Sequence, residues 1–187
     1  MKSGRMALVF AVCVLLIAGI LFSANQKPQP APKKKLQLSI QPRHMADAIY
    51  AILSGHREVY TELYAEGGET TKFPNPCETF RKNSIAVAAK GVEFSYVLRG
   101  VHPITPLGTA ETEFERKAIE SVIKKPDEPF CGEELLGGRW YFTAVYADRA
   151  FHNLCVDCHN KKATELKTPY KLGDVLGVIV IRVALEL

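Results

Sequence analysis

Cys155-Val156-Asp157-Cys158-His159 places two thiols and an imidazole within five residues. On a helix, Cys155 and Cys158 lie about one turn apart. Each can then add across one vinyl group of a porphyrin, and His159 comes next as a ligand from one side of the iron. The expected cofactor is one covalent haem c. Three other uses of C-x-x-C compete. A thiol–disulfide redox pair goes with a parallel βαβ pattern, which this chain lacks. Half of a zinc site needs further ligands, but Cys77 and Cys131 stand isolated. A structural disulfide is the third.

The opposite face of the iron has several candidates: His56, His44, Met45, His102, His152 and Cys77. His56 is the first choice, because it interrupts an apolar helical face and is expected to point inward, where a polar group needs a partner. Cys77 is the alternative, as a thiolate on an irregular segment free to approach a pocket. Cys77 and Cys131 could instead form a disulfide in an oxidising compartment. His152, three residues before Cys155, is expected at the surface or against a propionate. Phe94, Tyr96, Trp140, Phe142 and Tyr146 are candidates for an apolar wall, with Arg99, Arg139 and Arg149 as propionate partners.

The elements that must position these groups emerge from periodicity. Met45, Ile49, Ile52, His56, Val59 and Leu63 recur at helical spacing over residues 44–64, and Gly67-Gly68 ends that helix. A second, shorter helix is expected over 80–89, after an irregular stretch containing Pro74 and Pro76. Alternation then predicts strands over 93–99 and 139–146, with Gly137-Gly138 joining the latter to 131–136 as a hairpin. Residues 112–124 read as an amphipathic helix, acidic early and basic late. The Val/Ile-rich end, 174–187, reads as a long strand. The sum is an α+β domain, an antiparallel sheet flanked by helices.

The first part of the chain is different. Lys2 and Arg5 precede 17 apolar residues, Met6–Phe22. As a helix they reach roughly 26 Å, just short of a hydrocarbon core of about 30 Å and longer than a signal-peptide apolar region of roughly 7–15 residues. Bulky Phe22 is poor cleavage-site chemistry. Residues 1–24 are therefore expected to be a membrane anchor in preference to a cleaved signal segment, and either one exports the remainder of the chain. The stretch 25–41, with its prolines and Lys33–Lys35, reads as an extended linker to a domain over 42–187. The formal charge of +4 does not imply nucleic acid. Residues 1–35 hold six of the 24 basic side chains and no acid, so the remainder carries about −2.

Three runs carry a family resemblance: RKNSIAVAAKGVEFSYVLRG (81–100), GGRWYFTAVYADRAFHNLCVDCHN (137–160) and YKLGDVLGVIVIRVALEL (170–187). Over roughly 42–187 the chain resembles bacterial single-haem c-type domains with a PAS-like fold, a family catalogued as a domain of unknown function. The resemblance implies a PAS-like sheet and one haem held by Cys155, Cys158 and His159. Family members stand alone or fused to signalling modules such as histidine kinases, and are regarded as redox or ligand sensors. This chain ends just after its final strand, so a signal is expected to pass to a separate protein.

Two readings result. The first is a membrane-tethered haem sensor on the periplasmic side of the inner membrane, or free in the periplasm if the segment is cleaved. The second is a monohaem cytochrome c electron carrier. A thiol–disulfide oxidoreductase is a weaker third. No hydrolase, transferase or phosphate-loop arrangement is present in the sequence, so a non-enzymatic role is expected.

Overall fold

The computed structural model describes residues 41–67, 72–163 and 166–185. The expected apolar span Met6–Phe22 and nearly all of the linker lie outside them. Among the described residues, no helix is long and apolar enough to cross a membrane.

Helix α1 spans Pro42–Gly67 and α2 spans Pro76–Ala88. The start of α2 is four residues earlier than the apolar pattern predicts, and the reason is capping. The Asn75 side chain accepts a hydrogen bond from the Glu78 N–H at 3.0 Å, while Pro76, lacking an N–H, opens the first turn at no cost. Strand β1 (Phe94–Gly100) comes next, then a 3-10 turn at Pro106–Gly108 and helix α3 (Glu113–Lys124), capped by Thr112. Strands β2 (Phe130–Leu136) and β3 (Arg139–Arg149) form the expected hairpin. Its two loop residues, Gly137 and Gly138, have φ of 59° and 81°, the left-handed pair that a twisted two-residue connection requires. Helix α4 (Asn153–Lys162) holds the cysteine motif, and β4 (Val175–Ala184) closes the domain.

The four strands lie in the order β1-β4-β3-β2, every neighbouring pair antiparallel. Because β4 is internal and both of its faces are covered, Leu176–Val183 is buried without alternation. On one face Tyr96, Ala144, Tyr146, Ile179 and Ile181 pack with Leu53 of α1 and Phe80 of α2. On the other, Val145, Val178 and Val180 pack beneath Ala118 and Val122 of α3.

That second face also buries charge. Glu115 of α3 is fully buried and accepts hydrogen bonds from Arg99 of β1 (2.9 Å), Arg182 of β4 (2.8 Å) and the Glu111 N–H (2.6 Å). Arg182 also donates to Glu134 of β2 at 3.1 Å, which Thr143 and Thr112 complete at 2.8 and 2.9 Å. Burial alone would push the Glu115 carboxyl upward. The donors, led by Arg182, outweigh it and hold the carboxyl below the usual carboxylate range.

At the β1–β4 pairing Gly177 stands opposite Gly100. A Cβ on Gly177 would run into the Arg99 carbonyl oxygen, a backbone atom that cannot swing aside.

These contacts generate two stability predictions. Glu115→Leu takes from the buried Arg99 and Arg182 guanidiniums the carboxylate they share and should cost about 3–5 kcal/mol in urea unfolding. The wild-type ion pairs contribute fully above the ordinary carboxylate pKa and are lost as pH falls through the lower folded value, so the variant should show less acid sensitivity. Gly177→Ala should cost about 1–3 kcal/mol by parting the strands.

Candidate functional site

Helix α4 is short and only weakly amphipathic, so its own packing cannot fix it. Its ends are tied instead. At the N-terminus the His152 side chain accepts from the Leu154 N–H at 3.0 Å, making His152 the cap, a role that the sequence did not suggest for it. At the other end, Asn160 clamps Tyr170: its Oδ1 accepts from the Tyr170 N–H at 2.8 Å and its Nδ2 donates to the Tyr170 carbonyl at 3.1 Å. The Tyr170 ring then meets His159 edge-on with centroids 6.0 Å apart, and His102 at 6.1 Å.

His159 and Cys158 face a cavity of about 480 Å³. Its other walls come from α2, which presents Cys77 and Ile85; from β1 and the turn after it, with Leu98 and His102; and from Asp148 and Gly177. Cys155, one turn back on α4, is half-buried, and burial pushes its thiol up while Arg57 draws it down. Burial likewise holds the His159 imidazole below the ordinary histidine value, against the pull of Asp148, so the ring is neutral at pH 7. Its Nδ1 is buried without a hydrogen-bond partner, as is the Tyr170 hydroxyl. Cys77 is open to the cavity, yet enough protein surrounds it that desolvation pushes its thiol up to about 11.

Cys158, His159 and Cys77 thus line one cavity, with His102 on another of its walls. His56 is not among them. It lies outside the buried stripe of α1, on the side where Ile52, Val59 and Leu63 are exposed. The inward stripe of α1 is Ala46, Leu53, Arg57 and Thr61. Two polar members hide that stripe from a hydrophobic reading: Arg57 pairs with Asp148, and Thr61 donates to the Arg57 carbonyl at 2.7 Å. His44 is exposed, and Met45 packs against the core.

Other expectations are corrected. Cys77 and Cys131 form no disulfide; both are free, and Cys131 accepts from Arg43 at 3.2 Å. None of the five aromatic residues lines the cavity: Tyr96 and Tyr146 are core, and Trp140 is 42% exposed. Arg99 reaches the wall but is bound to Glu111 and Glu115, while Arg139 and Arg149 pair with Glu93 and Asp127. Among the described residues, no cluster of three His, Cys, Asp or Glu side chains is arranged to hold a bare metal ion. Sequence reasoning missed Asn160, Tyr170, Arg57 and Asp148. For Asn160, Tyr170 and Asp148, the signal was their place in two of the runs that carry the family resemblance.

An antiparallel α+β domain with a C-x-x-C-H helix on the wall of a cavity is the class defined by fold and site. The chain belongs to the Tll0287-like family, whose model matches residues 25–184. A solved structure described as the cyanobacterial heme-protein Tll0287 is similar, with a TM-score of 0.52 and 14% identity. The match covers 79% of this chain and 98% of that one, and at this identity the likeness is one of fold. No curated protein matches.

Asn160→Ala removes the acceptor of the Tyr170 N–H. Hydrogen exchange at that amide should quicken about tenfold or more, corresponding to about 1.4 kcal/mol, within the usual worth of such a bond.

Proposed function

We propose that this chain is an exported, membrane-tethered c-type haem protein that carries one haem and acts as a redox or small-ligand sensor through a separate protein partner. The observation that carries this reading is that Cys77 of α2 and Cys158 and His159 of α4 line one cavity, with Cys155 one turn away. The residues fit the group. The two motif thiols are free, the imidazole is neutral and has an orphaned buried nitrogen, and the volume falls in the range of about 300–1,000 Å³ usual for cofactor-sized sites. The family membership and the name of the similar haem protein support the same cofactor.

In this reading Cys155 and Cys158 would hold the haem by thioether bonds, His159 of α4 would ligate the iron, and Cys77 at the start of α2 lines the same cavity. When bound, the haem would supply one-electron chemistry. The chain's own residues do the rest. Asn160 and Tyr170 fix the ring of His159, Ile85 and Leu98 line the cavity with apolar surface, and Cys77 is exposed toward it. The sheet with helices on both faces and a cavity at one edge supports a PAS-like description. The role is non-enzymatic, and the periplasmic side of the membrane is the location that the sequence of residues 1–24 favours.

A monohaem electron carrier is the second reading, favoured by the presence of two strong ligand types, His159 and Cys77, on one cavity. Expression with a cytochrome-maturation system should give coloured protein that keeps its haem after denaturation. Cys155→Ala with Cys158→Ala should abolish that retention; full retention overturns the attachment. Cys77→Ala should shift the Soret band, and unchanged spectra remove Cys77 from the iron. Carbon monoxide binding to the reduced wild type supports the sensor, and no binding supports the carrier.

A further inference from the structure

Arg57 and Asp148 form a buried ion pair, with side chains 7% and 10% exposed. Arg57 comes from the inward stripe of α1 and Asp148 from the end of β3, beside a register shift at Asp148/Arg149. The Arg57 guanidinium carbon lies 5.0 Å from the centroid of Phe151, two residues before α4. Asp148 Oδ1 accepts no hydrogen bond, so that oxygen is compensated by the ion pair alone. Burying two charges with so few partners is costly, and an apolar pair of similar size would hold these elements together as well or better. The pair therefore calls for a role besides packing.

Its placement supplies one. Asp148 is on the cavity wall with Cys77, Cys158 and His159. Arg57 is not; it lines a second hollow of about 370 Å³, with Tyr50, Ser54 and Arg149. The carboxylate end thus faces the site, and the guanidinium end stands behind it. Both are shielded from water, where a fixed charge is felt strongly by a neighbouring centre that changes charge.

Resting on the haem reading above, we propose that Arg57 and Asp148 set the reduction potential of the iron held in this cavity, Asp148 favouring the ferric state and Arg57 the ferrous. They act through their charge and are not part of the ligand set of Cys155, Cys158 and His159. In the redox step one electron, supplied by a dithionite-type reductant, converts ferric to ferrous iron. No proton or bond of the pair moves.

Spectroelectrochemical titration of the holoprotein tests this with three variants. Asp148→Asn should move the ferric/ferrous ratio at fixed applied potential about tenfold toward ferrous, about 59 mV for one electron. Arg57→Met should move it about as far toward ferric, and Arg57→Lys, which keeps the charge, should stay within twofold of wild type. Removing either partner breaks the same ion pair, so a merely structural role would move both variants in one direction or neither. Shifts of the same sign, or both under twofold, overturn the proposal. If Arg57→Met does not fold, a shift toward ferric in Asp148→Asn overturns it alone. A wild type without covalent haem would instead overturn the earlier reading and this one with it. Normal holoprotein with same-sign shifts defeats only this one.

Discussion

A ten-residue helix that carries two thiols and an imidazole must be held still by something other than its own apolar face. In α4 that something is a pair of end ties: the His152 side chain on the Leu154 amide, and the two-point bond between Asn160 and the backbone of Tyr170. The rest of the site depends on these ties. They fix the direction of His159 into the cavity, and they bring a loop from beyond α4 up against the imidazole edge. Lys161 and Lys162 in the last turn add a favourable match to the helix dipole.

The sheet itself is asymmetric. The face toward α1 and α2 is built of apolar and aromatic side chains, including the stacked rings of Tyr50 and Tyr146. The face toward α3 combines a Val/Ala layer with the Glu115–Arg99–Arg182–Glu134 cluster. A charged cluster of this kind is satisfied in only one arrangement of β1, β2, β4 and α3, so it ties the register of the strands to the position of the helix. Since β1 also forms a wall of the cavity, that constraint reaches the site.

Much of this was legible in the sequence. Alternation located β1 and β3, a Val/Ile-rich run located β4, and the Gly137-Gly138 hairpin was placed to the residue, because strand composition, period-two patterns and positive-φ glycines are local signals. The C-x-x-C-H run gave the centre of the site for the same reason. What failed was long-range. His56 sat on an apolar stripe that is the outer one, since the true inner stripe includes Arg57 and Thr61, whose partners are Asp148 on a distant strand and the helix's own backbone. No helical periodicity can reveal a charge neutralised from another strand. The early start of α2 was hidden similarly: prolines 74 and 76 read as irregular, whereas Pro76 after Asn75 is a helix opening. That shift matters, because it places Cys77 at a defined position in the first turn.

The floor of the cavity has a property of its own. Gly100 and Gly177 both line it and face each other across the β1–β4 pairing, so at this point the wall is bare main chain. The hollow is defined there by side chains that were left out. Natural variation at these two positions would be penalised by crowding, Gly177 against the Arg99 carbonyl of the neighbouring strand and Gly100 against the backbone of Pro103, and by lost room, even though neither residue has a side chain with which to bond anything the hollow contains. A family comparison that sought function only in reactive groups would pass over them; the two hydrogens standing in for side chains are as much a part of the vessel as the thiols on its rim.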